Sequence, residues 1–134
     1  MIKYIKGDLF TSKNHLAHCI SADAKMGAGI AKQFAEKFPN IRNSINNPIT
    51  GNCILYKKIF NLITKEKYWQ KPTLQTIESA IKNMFCIARN MGITKISMPL
   101  IGCGLDKLKW NDVEPLIKKY QSNIEIEIYI KNKR

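Results

Sequence analysis

The sequence predicts a three-layer α/β domain, in which a β-sheet carries helices on both faces. Three observations lead there. Strand-like and helix-like segments alternate along the chain, an apolar stripe recurs at helical spacing through residues 74–88, and "IEIEIYI" alternates apolar with polar side chains. The 134 residues suffice for one core of ordinary size and are too few to divide comfortably into two, so a single domain over residues 1–134 is expected.

Taken in order, "IKYIKG" and "LAHCI" read as short strands joined by "DLFTSKN". From Gly29, "GIAKQFAEKF" sets Ile30, Phe34 and Phe38 on one face and turns Lys32, Gln33, Glu36 and Lys37 outward, before Pro39 stops the run. This is an amphipathic helix of about three turns. "NCILYKKIFNLI" holds two apolar runs around Lys57 and Lys58, as in a hairpin or a pair of adjacent strands. After Pro72, the residues Leu74, Ile77, Ile81, Met84, Phe85 and Ala88 define the longest helix, which Gly92 closes. "KISM" then reads as a short buried strand. Asn111, with Glu114 three residues on, has the form of a capping box for a last helix whose apolar face is Val113, Leu116, Ile117 and Tyr120. Ile124, Ile126, Ile128 and Ile130 share one face of a half-covered strand.

Composition narrows the partners without choosing among them. The chain has 22 Lys and Arg against 10 Asp and Glu, a net charge of +12 with neutral histidines. Such an excess favours nucleic acid, phosphorylated ligands or an acidic surface, and a generally positive, solvated exterior accounts for it equally, because the lysines are spread along the chain. No apolar run reaches the length of a membrane span, and "MIKYIKGDLF" lacks the apolar centre and cleavage site of a signal peptide. A cytoplasmic protein with no membrane partner is expected. Cys19, Cys53, Cys86 and Cys103 form no C-x-x-C pair and are expected to be buried free thiols. His15 and His18, three apart on a strand, would point to opposite faces, and no second ligand pair follows, so no metal site is expected.

Three stretches have the residue types that chemistry requires. "DAKMGAGIAKQF" places Gly27, Ala28 and Gly29 before a helix, whose unsatisfied N–H groups and positive dipole end suit a diphosphate. A helix cap that binds nothing would also explain it. In "MPLIGCGLDKLKW", Gly102 and Gly104 flank Cys103 after a strand, so successive N–H groups can wrap an anion. Asp106 follows, either capping a turn or standing beside a sugar as a general acid or base. Lys65 closes the apolar "LIT", at the mouth of a sheet. It is a solvated strand end, or a nucleophile whose amine is freed by desolvation and by the cations Lys67 and Lys71.

Together these stretches resemble a known family. "KGDLF", "LAHCISADAKMGAGIAKQF", "LITK" with "KPT" just after it, and "SMPLIGCGLDKLKW" are similar, in this order, to the macrodomains, and most similar to the lysine-dependent terminal ADP-ribose protein glycohydrolases. The resemblance implies an α/β/α macrodomain with a mixed central sheet. It implies that Asp8 and Leu9 hold adenine and that Ser21 lies near the distal ribose. Gly27, Ala28, Gly29 and Ile30 would form one phosphate loop, and Gly102, Cys103, Gly104 and Leu105 the other. Lys65 and Asp106 would be the catalytic pair. "CISAD" stands where the larger branch of the family has an asparagine-bearing "NAAN"-like stretch, as the lysine-dependent subgroup shows. The implied activity is removal of mono-ADP-ribose from acidic side chains, and also from nucleic acid or O-acyl-ADP-ribose, with no cofactor; a small self-contained domain is expected to be a monomer. The implied partners are ADP-ribose, ADP-ribosylated protein, and ADP-ribosylated DNA or RNA. The alternative is a reader that binds ADP-ribose without turnover, for which neither Lys65 nor Asp106 is needed.

Overall fold

The computed structural model describes residues 1–131. Six strands form one sheet: β1 (Ile2–Lys6), β2 (His15–Ser21), β3 (Cys53–Tyr56), β4 (Ile59–Lys65), β5 (Lys95–Met98) and β6 (Glu125–Ile130), in the spatial order β1-β6-β5-β2-β4-β3. Every neighbouring pair is parallel except β3 and β4, which run antiparallel about Lys57 and Lys58. The sheet is therefore mixed, and the apolar runs around the two lysines form a hairpin.

Three helices cover it: α1 (Gly29–Lys37), α2 (Leu74–Asn90) and α3 (Trp110–Gln121). Alternate residues of β4 divide between the two faces. Ile59 and Ile63 pack with Phe34 of α1, whereas Phe60 and Leu62 pack with Ile77 and Ile81 of α2 and belong to the core that α3 enters through Val113 and Ile117. Burial on both sides explains why β4 reads as a nearly continuous apolar run. The three-layer α/β arrangement is the one the alternation of elements predicts.

The start of α2 is fixed by a cap that also reaches the end of β4. Thr73 Oγ1 accepts from the Thr76 N–H at 3.0 Å, and Thr76 Oγ1 accepts from the Thr73 N–H at 3.1 Å. The Thr76 hydroxyl donates to the Thr64 carbonyl at 2.6 Å, one residue before Lys65. Loss of a cap of this kind costs about 1 kcal/mol.

Two expectations are corrected. Asn111 does not cap the last helix: α3 begins at Trp110, two residues before the start that such a cap would give, with Lys109 in extended conformation as its cap and no side-chain cap bond. Trp110 decides this register, because its Nε1–H donates to Tyr4 Oη at 2.9 Å across to β1, and the Tyr4 hydroxyl donates to Glu114. The glutamate that a capping box would use is thus drawn to β1. Among the cysteines, all four thiols are free, but Cys86 is exposed on α2, Cys19 and Cys103 are half-buried, and only Cys53 is buried. The two histidines do face opposite sides, His18 stacking on Phe34 of α1 and His15 lying 6.0 Å from Phe60. Among the described residues, no helix is long and apolar enough to cross a membrane.

Candidate active site

The parallel strands all end on one edge of the sheet, and a cleft of about 1110 Å³ opens there. It is lined by Asp8 and Leu9 after β1, by the end of β2, by residues 25–31, by Lys65 at the end of β4, by residues 99–107 after β5, and by Tyr129 and Ile130 of β6. Ligand sites in open α/β sheets form at such carboxyl ends. Every sequence-predicted site residue lines this cleft.

At its floor, Lys65 and Asp106 meet. Nζ of Lys65 lies 2.5 Å from Oδ1 of Asp106, with side chains 14% and 16% exposed. They are 41 residues apart: Lys65 ends β4 and Asp106 lies in the loop after β5, and because β4 and β5 flank β2 the pair crosses the end of that strand. Both side chains are largely buried yet remain open to the cleft.

The first glycine loop enters α1 without a side-chain cap at Ala28, so no side chain covers the first N–H groups of the helix. An anion fits at such an end. Gly29 has φ +60, and a Cβ there would meet Leu105 Cδ1 at 3.1 Å, so the two loops touch across the cleft. In the second loop the Cys103 N–H is used up in a turn with Leu100 at 3.1 Å and the Lys107 N–H in one with Gly104 at 3.1 Å. The N–H groups of Gly104, Leu105 and Asp106 have no hydrogen-bond acceptor among the described residues. These are the donors that remain for a phosphate.

The other implied contacts are preorganised. Asp8 Oδ1 accepts the Phe10 N–H at 3.0 Å, which fixes the carboxylate at the cleft edge beside buried Leu9. Ser21 is buried, and its hydroxyl donates to Asp23. Burial pushes the Cys19 thiol far up, with Asp106 and Cys103 adding to the effect, so it forms a neutral wall and not a nucleophile. Burial, and then Asp112, also raises the Cys103 thiol, which leaves that residue's contribution to its backbone.

Asp23 is the residue that sequence reasoning missed. Burial alone would raise its carboxyl, but the Ser21 hydroxyl and the amides of Tyr68 and Lys25 hold it below the usual carboxylate range. It accepts from the Tyr68 N–H at 3.1 Å and from the Lys25 N–H at 3.3 Å, so one carboxylate joins the end of β2, the first glycine loop and the turn after β4. Arg42 braces the same loop, its Nη2 donating to the Lys25 carbonyl at 2.5 Å and the Met26 carbonyl at 3.4 Å. The only sequence signal was an acid two residues after a strand-end serine.

Residues 17–117 match the sequence profile of the Macro domain family. The chain belongs to the macrodomain family. This macrodomain is 38% identical to the human protein named ADP-ribose glycohydrolase OARD1, over 96% of this chain and 90% of that protein. It is 27% identical to the DNA ADP-ribosyl glycohydrolase of Mycobacterium tuberculosis, over 97% of this chain but 42% of that longer protein. Its fold superposes on the macrodomain of Thermus aquaticus DarG with a TM-score of 0.87 at 22% identity, covering 97% of this chain and 98% of the other.

Proposed function

We propose that this macrodomain is an ADP-ribosyl hydrolase that removes ADP-ribose from carboxylate side chains, with Lys65 as nucleophile and Asp106 as acid and base. The Lys65–Asp106 contact at 2.5 Å on the floor of the cleft carries the reading, because a module that only binds has no use for it. The names of the relatives, two of them glycohydrolases of ADP-ribosyl linkages, support the same reaction class.

In a carboxylate ester of ADP-ribose, the anomeric carbon C1″ of the distal ribose is the electrophile. Asp106 takes a proton from the Lys65 ammonium, and the freed amine attacks C1″ as the C1″–O bond to the acceptor breaks and the carboxylate leaves with its electron pair. Asp106 then moves protons as the sugar ring opens to a lysine imine. Water adds to the imine carbon, the C–N bond breaks, and ADP-ribose leaves with Lys65 restored. The two glycine loops hold the diphosphate and the β1 edge holds adenine, so binding energy remote from C1″ positions it against the amine.

The test is a release assay on an ADP-ribosylated glutamate peptide, with Lys65→Ala and Asp106→Ala alongside. The wild type should release free ADP-ribose, and each variant should lose at least about a hundredfold in kcat while still binding ADP-ribose. Wild type that binds ADP-ribose and releases none would leave a reader, and this reading would be wrong.

A further inference from the structure

The sheet breaks its register one residue before Lys65. β2 and β4 pair with a constant offset from Leu16 beside Ile59 to Ile20 beside Ile63, after which Ser21 lies beside Lys65. Thr64 is thus the extra residue of a β-bulge, a feature that re-aims side chains. In the unbroken register Lys65 would lie beside Ala22 and share the face of Ile20, which belongs to the core under α1. A slip of one residue exchanges the faces. Beside Ser21, Lys65 takes the side of Cys19, which packs against the α2 core and whose thiol feels the charges of both Asp106 and Lys65.

The bulge also takes a carbonyl out of the ladder. The Leu16 N–H donates to the Lys58 carbonyl at 2.8 Å, and the same offset further along would bring the Ala22 N–H to the Thr64 carbonyl. It donates instead to the Lys65 carbonyl at 2.8 Å. Thr64 is fully buried, where a backbone carbonyl left unpaired is costly. Its own side chain makes no repair, because Oγ1 has no partner among the described residues. The Thr76 hydroxyl does, donating to the Thr64 carbonyl at 2.6 Å while its oxygen accepts from the Thr73 N–H at 3.1 Å. The first turn of α2 thereby grips the bulge.

We infer that Thr76 is a positioning residue for the proposed nucleophile: its hydroxyl holds the Thr64 bulge and so aims Lys65 across the end of β2 at Asp106. Its effect on rate rests on the hydrolase reading; the aim of Lys65 does not. Without the hydroxyl the Thr64 carbonyl must find another donor. The register then relaxes, and Lys65 leaves Asp106 for solvent.

The experiment compares wild type with three variants. Thr76→Val loses the hydroxyl, Thr76→Ser keeps it, and Thr73→Ala removes the Thr73 Oγ1 half of the cap while sparing the bond to Thr64. Thr76→Val should lower kcat for release of ADP-ribose from a glutamate peptide by at least about tenfold, with the affinity for free ADP-ribose unchanged. Thr76→Ser should recover most of the rate, and Thr73→Ala should lower the midpoint of urea unfolding and leave kcat near that of wild type. Unchanged kcat in Thr76→Val, or an equal loss in Thr73→Ala, would reduce Thr76 to a helix cap and overturn the proposal. A second measurement needs no turnover. Trace acetylation by acetic anhydride, read by peptide mass, should modify Lys65 several times faster in Thr76→Val than in wild type or Thr76→Ser, with exposed Lys3 and Lys32 as internal references. Equal labelling of Lys65 in all of them would overturn the proposal as well. Faster labelling in a protein that releases ADP-ribose from nothing would support the positioning role and strike the hydrolase reading alone.

Discussion

The two glycine loops that face each other across the cleft are held in shape by different means. The first contains two non-glycine residues in left-handed conformation, Ala24 at φ 54 and Met26 at φ 48, before Gly29 at φ 60. Side chains hold it: Asp23 at its start, and from further along the chain Arg42 through the carbonyls of Lys25 and Met26. The second turns on Gly102 at φ 75 and is closed by its own backbone, with the Leu108 N–H donating to the Gly102 carbonyl at 2.8 Å and the Lys107 N–H to Gly104. A loop braced by side chains can be loosened while the fold persists. One closed by backbone changes only when its glycine does.

The largest effect is therefore expected in the second loop. In Gly102→Ala, the new Cβ would meet Ile77 Cδ1 at 2.8 Å and Leu108 Cδ1 at 3.1 Å, at a φ that L side chains rarely adopt. The expected loss is about 3 kcal/mol in urea unfolding, together with ADP-ribose binding in calorimetry. A variant within about 1 kcal/mol of wild type, against the ~3 kcal/mol expected, would mean that the second loop yields as easily as the first.

Next comes pH, which acts on the first side. The first loop leads into α1, and Phe34 of α1 stacks on buried His18 with ring centroids 3.9 Å apart. His18 Nε2–H donates to Asn61 Oδ1 at 2.6 Å, and its Nδ1 has no partner. Burial lowers its pKa to about 4, against the opposing effect of the hydrogen bond to Asn61. The unfolded chain takes up this proton near 6.5 and the folded chain only near 4, so the contribution is complete above pH 6.5 and is lost as pH falls toward 4. At pH 5 the loss is about 2 kcal/mol relative to pH 7. Hydrogen exchange should show α1 losing protection before α3, and stability unchanged between the two pH values would refute the assignment.

Asp23→Ala should have the smallest effect on folding, about 1 kcal/mol, because it removes hydrogen bonds at a partly exposed carboxylate. Its mark should fall on function, with ADP-ribose affinity down roughly tenfold and partly restored in Asp23→Asn. Unaltered affinity would show that the first loop does not depend on its braces.

Much of this was legible in the sequence, for a physical reason. Apolar periodicity reports burial directly, so the helix through Ile77, Ile81 and Met84 and the hairpin about Lys57 and Lys58 could be read from the residues alone. Strand order is set by which long-range pairings win and leaves no local trace. Lys65 could be placed at a strand end, but its meeting with Asp106 depends on β4 and β5 flanking β2. Only the resemblance to a family joined the two. Asp23 escaped because two of its partners are backbone amides, which no side-chain pattern displays. Gly27 and Gly29 drew the eye in the first loop, whereas two of its left-handed positions are Ala24 and Met26. Asn111 misled because its spacing to Glu114 fits a cap, while Tyr4 on a strand far back in the chain holds that glutamate.

One further consequence follows from the pairing of β1 with β6, in which Ile2 lies beside Ile126. During synthesis β1 emerges early but, among the described residues, has no sheet neighbour until β6 has left the ribosome. The edge that bears Asp8, Leu9, Tyr129 and Ile130 is thus assembled last. The β1 side of the cleft therefore takes shape only once β6 has paired with both β1 and β5.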